Sequence, residues 1–160
     1  MIPSEEEINA WDLEATVAYG RNALRNHADD PSELLLRRDV LMTSPHGASS
    51  PVLREVVMLS VSAHDLDTAK LAIGWLEQAG DPAMGYFVYK ALLDQSRNEE
   101  AETFLQSSAR HGFLPAERVL LDREASKSLF PWISRAVARF KHARKVAGIA
   151  KANPKDLRLG

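Results

Sequence analysis

The amino-acid sequence predicts an all-α protein, a short right-handed α-solenoid of stacked helical hairpins that ends in a long basic helix. Apolar residues recur at helical spacing in every segment of the chain. No segment alternates apolar and polar residues as a half-buried strand does, and no Asn-Gly or Asp-Gly turn occurs. A weak internal repeat begins at Pro51. We expect about seven or eight helices and no sheet, in one domain over residues 1–152 with a flexible tail over residues 153–160.

The composition is that of one soluble globular domain. The chain has 160 residues, of which 45% are apolar and 26% are charged, so it can bury one core and is not expected to be disordered. It contains no cysteine, which excludes disulfides, cysteine-based zinc sites and thiol nucleophiles. No run approaches the roughly 18 apolar residues of a membrane span, and the acidic N-terminal segment lacks the pattern of a signal peptide. We expect a cytoplasmic location, with a peripheral position at a membrane as a further option.

Residues 1–42 predict a helical hairpin. Ser4 and Glu7 have the spacing of a capping box, which starts a helix that we expect to continue to about His27. Pro31 follows two aspartates, as a first-turn proline does, and starts a second helix that reaches about Met42. Residues 43–50, TSPHGASS, predict a loop because they concentrate turn-forming residues.

Residues 51–126 carry the weak repeat. Pro51, Pro82 and Pro115 each stand where a helix would begin, at spacings of 31 and 33 residues. Two of the resulting units end in a glycine, Gly80 or Gly112, placed as the left-handed residue that closes a helix. One helical hairpin cannot bury its apolar side alone, and stacking neighbouring hairpins does so, as in α-solenoids. The alternative is a chance similarity between unrelated helices.

The helix after Pro82 indicates where the core lies. Its sequence, AMGYFVYKALLD, is apolar on nearly all sides, which is typical of a helix buried between neighbours. We therefore expect it to form the centre of the stack. The shared core predicted for the two clearest units consists of Val57, Ile73, Leu76, Phe87, Val88 and Leu105.

Two segments, DTAKLAIGWLEQAGDPAM and EEAETFLQSSARHGFLPAE, resemble the second helix and following turn of Sel1-like repeats. The Leu-Gly pair and the glycine-rich bend of that family are absent, and the connection around SRNEE is more similar to the short turn of tetratricopeptide hairpins. The resemblance covers about residues 51–126 and implies a scaffold or adaptor that binds other proteins and does no chemistry. The matching residues are Ala69, Trp75, Ala79, Gly80 and Ala83 in the first segment, and Ala101, Gly112 and Ala116 in the second.

Catalytic and metal-binding patterns are absent from the sequence. The five histidines lack the spacing of a zinc site, and His27, His64 and His111 fall near predicted helix ends, where a partial positive charge is favourable. The serine-rich loop around His46 has no nucleophile-elbow motif, and no glycine-rich phosphate loop occurs. The sequence therefore predicts no catalytic residue, no cofactor, no metal and no small-molecule substrate, and we expect that the protein is not an enzyme.

Charge is unevenly distributed along the chain. Residues 127–160 contain nine Lys or Arg residues and one acid, Asp156, whereas residues 1–126 carry a net charge of −10. Residues 131–152 predict one amphipathic helix whose apolar side is bulky in its first half and mostly alanine in its second. We expect this helix to dock on the fold through Trp132, Ile133, Val137 and Phe140. Its basic side would then face outward and offer a partner Arg135, Arg139, Lys141 and Lys145.

Two functions from different classes are consistent with these features. The first is a protein–protein interaction scaffold or adaptor that uses a helical-repeat groove around Trp75, Tyr86 and Tyr89 together with the basic C-terminal helix. The second is a peripheral binder of an anionic membrane surface or of nucleic acid through residues 127–160. Aromatic residues that could stack on bases are few among these basic residues, which weakens the nucleic-acid version.

Overall fold

The structure, a computed structural model, describes residues 2–160. Over that range it has nine α-helices, one short 3-10 turn and no strand, so the predicted all-α class is confirmed. The helices are α1 (Glu5–Asn9), α2 (Leu13–Asn26), α3 (Pro31–Thr43), α4 (Ser50–Ser62), α5 (Leu66–Gln78), α6 (Ala83–Asp94), α7 (Asn98–Arg110), α8 (Leu114–Ser126) and α9 (Pro131–Ala152), and the 3-10 turn is Leu157–Leu159.

The predicted first helix is wrong in one respect, because it is interrupted between α1 and α2. The capping box of Ser4 and Glu7 is present as expected. Asp12 then lies in an extended conformation, and its side chain accepts a hydrogen bond at 2.7 Å from the backbone N–H of Ala15. An aspartate that satisfies a free N–H in this way favours the start of a new helix over the continuation of the old one. This break accounts for the additional helix.

The chain divides into two compact units, one that ends at Ala79 and one that spans Gly80–Gly160. In the first unit, α2 packs against α3 and α4, and α4 packs against α3 and α5. Gly20 allows α2 to approach α4 closely, since a Cβ at this position would lie 2.8 Å from the Cβ of Glu55. Three predicted core residues of this unit are buried, namely Val57, Ile73 and Leu76. The assignment of residues 1–152 to one domain stays a prediction.

In the second unit, consecutive helices pack on one another, α6 on α7, α7 on α8 and α8 on α9. The start of α6 is tied to α7 by the buried Ser108 hydroxyl, which donates a hydrogen bond to the Pro82 carbonyl at 2.6 Å. Phe113, Phe104 and Leu114 are among the large side chains that this unit buries.

One predicted core residue of this second unit is misplaced. Val88 and Leu105 are buried as expected, but Phe87 is 53% exposed, so its assignment to the core is wrong. α6 buries the stripe that contains Met84, Val88 and Leu92, and Phe87 lies beside this stripe. A helix that is apolar on nearly all sides does not reveal which of its sides is covered.

Four successive helices end in the same way. Residues 64, 80, 96 and 112 follow α4, α5, α6 and α7, and each has a positive φ between 60° and 85°. These positions are sixteen residues apart. Gly80 and Gly112 are the helix-closing glycines expected from the sequence, whereas His64 and Ser96 adopt the same conformation without being glycine. The backbone N–H that follows three of these residues bonds back over five positions, Asp65 to Ser60, Arg97 to Leu92 and Phe113 to Ser108.

The C-terminal helix has the bounds that the sequence predicts, Pro131–Ala152. After it, the Asp156 side chain accepts a hydrogen bond from the Arg158 N–H at 2.9 Å, and the 3-10 turn contacts α8 and α9. A Cβ on Gly160 would lie 3.2 Å from the Pro115 ring. That residues 153–160 form a flexible tail stays a prediction. Met1, which the predicted first hairpin includes, lies outside the described residues.

Candidate partner-binding surface on the C-terminal helix

α9 is held on α8 by two ion pairs from its basic side. Lys145 Nζ lies 2.6 Å from a carboxylate oxygen of Glu117. Arg139 Nε lies 3.3 Å from Asp122 Oδ1, one to two turns further along α8. Because the partners run in opposite order along the two helices, α8 and α9 are antiparallel. Both cations face an acid of the neighbouring helix.

Further hydrogen bonds, which are not ion pairs, also hold α9 in place. His142 Nε2 lies 2.9 Å from the Leu114 carbonyl oxygen. Nearer the start of α9, the hydroxyls of Ser134 and Ser128 are 2.7 Å apart. Arg135 donates to the Ser126 hydroxyl at 2.7 Å. No residue of α9 is fully buried, so a half-buried stripe that includes Ala138, Val146 and Ile149 holds this helix together with the polar contacts.

The predicted orientation of α9 is therefore wrong. The amphipathic faces exist as expected, but the side with Arg139 and Lys145 lies against α8, and the bulky side faces solvent. On this side, Ala138, Val146 and Ile149 are half-buried, and Glu117 and Asp122 of α8 offer carboxylates to the cations beside them. The sequence shows the acids Glu117 and Asp122 but not that α9 would lie antiparallel on them.

The bulky side of α9 and the segment before it form an exposed apolar surface, which we call the α9 outer face. Leu129 is 96% exposed, Trp132 73% and Phe140 65%. A contiguous exposed apolar patch of this kind marks an interaction site or an aggregation liability in a folded protein. Leu129 and Phe130 were not among the sequence-predicted site residues. The α9 outer face consists of Leu129, Phe130, Trp132, Ile133, Val137 and Phe140.

The charged residues of the segment that carries the α9 outer face are all positive. Residues 127–155 contain no Asp or Glu. Lys127, Lys141, Arg144 and Lys151 are exposed and make no ion pair with any of residues 2–160. The Arg144 guanidinium lies 5.9 Å from the centroid of the Phe140 ring, within reach of a cation–π contact. Of the four predicted cations, Arg139 and Lys145 are neutralised by α8, Arg135 bonds a serine, and Lys141 carries uncompensated charge.

The predicted aromatic groove residues belong to different compact units. Trp75 belongs to α5 in the first unit, where its side chain is exposed. Tyr89 is buried in the second unit, and its hydroxyl accepts a hydrogen bond from Arg123 at 3.0 Å. Tyr86 packs on Tyr89 with ring centroids 5.7 Å apart and stays partly exposed.

Tyr86 instead lines a groove of about 770 Å³ between α8 and α9. Arg118, Asp122 and Arg139 supply its charged groups, and Leu159 of the 3-10 turn lies at its edge. The other lining residues are Leu114, Pro115, Val119, His142, Ala143, Val146 and Ala147. The groove is apolar with a few charged groups, as ligand sites often are, but Asp122 and Arg139 are paired with each other, which leaves only the exposed Arg118.

Local hydrogen bonds shift the pKa of ionisable groups in this unit, including Arg123 and Asp156. The Glu102 carboxylate raises the pKa of Arg123 by accepting a hydrogen bond from it. Hydrogen bonds from Arg158 lower the pKa of Asp156 to about 2. Both effects belong to structural ion pairs rather than to groups poised for proton transfer.

Residues 2–160 contain no cluster of three or more His, Asp and Glu side chains arranged to hold a metal ion. None of the helices in this range combines the length and the apolar character needed to cross a membrane. Comparison of the chain with protein-family models, with curated proteins and with solved structures finds no match.

Proposed function

We propose that this chain is a non-catalytic interaction protein that holds its partner on the α9 outer face. The observation that carries the proposal is that this apolar face points to solvent. Trp132 and Phe140 stand in solvent although polar contacts fix the opposite side of the same helix on α8. Exposed aromatic side chains are costly to keep in water and are the residues that dominate binding energies.

We also propose that α4–α8 form a helical repeat of the kind that Sel1-like and tetratricopeptide proteins use as a scaffold. The support is the sixteen-residue spacing of the left-handed helix ends at residues 64, 80, 96 and 112. Twice this spacing lies close to the period of known helical-hairpin repeats. In this proposal the repeat presents α8, and α8 in turn orients α9.

The proposal assigns no reaction to the α9 outer face. Its side chains are hydrocarbon and aromatic groups bordered by Lys and Arg, and none is held by a second group as a general base or nucleophile requires. A nucleic-acid partner is less well supported, since cations dominate nucleic-acid binding whereas the α9 outer face consists of apolar and aromatic side chains. Arg139 and Lys145, two of the predicted basic contacts, are committed to Asp122 and Glu117.

Affinity capture with matched variants tests the proposal. The full chain is immobilised and exposed to a cell extract that still contains membranes, and retained proteins and phospholipid are both quantified. The double variant Trp132→Ser/Phe140→Ser is expected to lose the retained partner while its thermal unfolding is unchanged. The control Leu71→Ser/Phe87→Ser removes two apolar side chains that are 61% and 53% exposed on α5 and α6 and is expected to retain it. Identical retention by native chain and outer-face variant would contradict the proposal.

A further inference from the structure

We infer that the surface bound by the α9 outer face is an anionic phospholipid bilayer. This inference rests on the proposed function and names its partner. It is carried by the combination of bulky apolar residues, uncompensated cations and helix orientation on the second unit.

The apolar residues have the composition of an interfacial helix. Trp132, Phe130 and Phe140 are exposed aromatic residues within about three turns of chain, and tryptophan is enriched at the membrane–water boundary. Leu129 and Ile133 add aliphatic side chains to the same surface. A helix that lies in the plane of the interface buries one such apolar face among the headgroups and the first part of the acyl chains.

Charge complementarity selects an anionic surface. The cations that face α8 are paired with acids, whereas Lys127, Lys141, Arg144 and Lys151 lie at or beyond the apolar residues without an acidic partner in residues 2–160. Two copies of this chain that met through the α9 outer face would bring these like charges together, which disfavours a homodimer. Lys and Arg side chains can extend past an inserted apolar face to reach lipid phosphates.

The way α9 is held also favours a bilayer over a folded protein partner. The outer face is the far side of a single helix that lies on α8, so it is a ridge and not a groove. Protein interfaces require close shape complementarity, whereas fluid lipid adapts to a ridge. The ion pairs of Lys145 and Arg139 keep the polar side of α9 turned toward the protein while the apolar side enters the interface.

The experiment measures co-sedimentation of the full chain with vesicles. One set contains phosphatidylcholine alone, and the other contains phosphatidylcholine mixed with phosphatidylserine. The native chain is expected to sediment with the mixed vesicles far more than with the neutral ones, and added salt is expected to weaken this binding. No sedimentation with the mixed vesicles would overturn the inference.

Two double variants separate the apolar from the electrostatic contribution. Trp132→Ser/Phe140→Ser and Lys141→Glu/Arg144→Glu are each expected to reduce the partition constant on mixed vesicles by about tenfold or more. The matched controls are Leu71→Ser/Phe87→Ser for apolar loss and Lys70→Glu/Lys90→Glu for the same change in net charge at exposed sites. These controls are expected to sediment like the native chain, and equal losses in controls and outer-face variants would overturn the inference.

Together, the vesicle and capture experiments distinguish failure of the lipid inference from failure of the proposed function. If the chain ignores vesicles but captures a protein in a manner that depends on Trp132 and Phe140, the lipid inference is overturned and the proposed function stands. If vesicles bind the outer-face variant as well as the native chain, and capture is equally unaffected, both are overturned.

Discussion

Lys145 of α9 lies with its ammonium group 2.6 Å from both carboxylate oxygens of Glu117 in α8. This pair and that of Arg139 with Asp122 lie on the side of the C-terminal helix that meets the protein. The side chain of Glu117 is 20% exposed and that of Lys145 is 50% exposed, so the pair is a partly screened surface interaction.

A double-mutant cycle on this pair is expected to show favourable coupling. Glu117→Gln and Lys145→Gln each remove one partner, and the coupling free energy between them should be about 0.2–1 kcal/mol and decrease with salt. Chemical denaturation of the native chain, both single variants and the double variant supplies the four values. A parallel cycle with Lys141→Gln, which faces no acid, is expected to show no coupling to Glu117.

Two phenylalanines on neighbouring helices should respond very differently to truncation. Phe104 of α7 is buried, and Phe104→Ala is expected to lower the free energy of unfolding by about 3–5 kcal/mol. Phe87 of α6 is half exposed, and Phe87→Ala should cost well below that range. Similar losses for both variants, measured by urea unfolding, would show that α6 is rotated from the orientation described.

Gly74 and Gly80 are expected to respond to alanine with opposite signs. Neither position has an atom within 4 Å of an added Cβ, so backbone conformation alone distinguishes them. Gly74 lies within α5, where alanine is favoured by about 0.5–1 kcal/mol. Gly80 has a φ of 84°, where a Cβ costs about 1–2 kcal/mol. In thermal unfolding, Gly74→Ala should therefore have a higher Tm than the native chain, and Gly80→Ala a lower one.

Asp65 is expected to make stability depend on pH in the acidic range. The Thr68 hydroxyl donates to Asp65 at 2.7 Å and lowers its pKa, and Arg38 contributes in the same direction. The pKa of Asp65 in the folded state is below the unfolded value of about 3.9. The stability that ionised Asp65 contributes is therefore complete above that pH and is lost as the pH falls through the folded pKa.

Asp65→Asn should therefore be less stable than the native chain at neutral pH, by up to about 1 kcal/mol. The difference should shrink as the solution is acidified through the lowered pKa. Asp67→Asn removes the same charge from the first turn of α5, where Asp67 has no side-chain partner in residues 2–160, and is the matched control, expected to lose only the helix-dipole contribution and so less stability than Asp65→Asn at neutral pH. A constant difference for Asp65→Asn at all pH values would contradict the assigned role.

Much of the fold follows from local sequence patterns. The bounds of α9 coincide with those expected from Pro131 and from the amphipathic pattern, and Gly80 and Gly112 adopt the left-handed conformation expected of them. Such features depend on interactions within one or two turns of chain. His64 and Ser96 adopt the same conformation, yet they could not be recognised because neither residue type requires it.

The orientation of α9 could not be predicted from α9 itself. An amphipathic pattern defines two faces, and the usual assumption places the apolar one inside. Here the side that meets the protein carries the ion pairs with Glu117 and Asp122 and the smaller apolar residues Ala138, Val146 and Ile149, so the outcome depends on the neighbouring helix and not on the bulk of the apolar stripe. The same limit applies to Phe87, since α6 is apolar on several sides and its neighbours decide which is covered.

Thiol labelling at Ala136 and Ala138 tests the orientation of α9 most directly. The chain has no native cysteine, so Ala136→Cys and Ala138→Cys are each the sole reactive site. Ala136 is exposed on the outer side, whereas Ala138 is partly buried on the side held by Ser134 and His142. We expect maleimide to label Ala136→Cys faster than Ala138→Cys under native conditions, with equal rates in denaturant. Faster labelling at position 138, or equal rates in the native state, would contradict the outward placement of the apolar face.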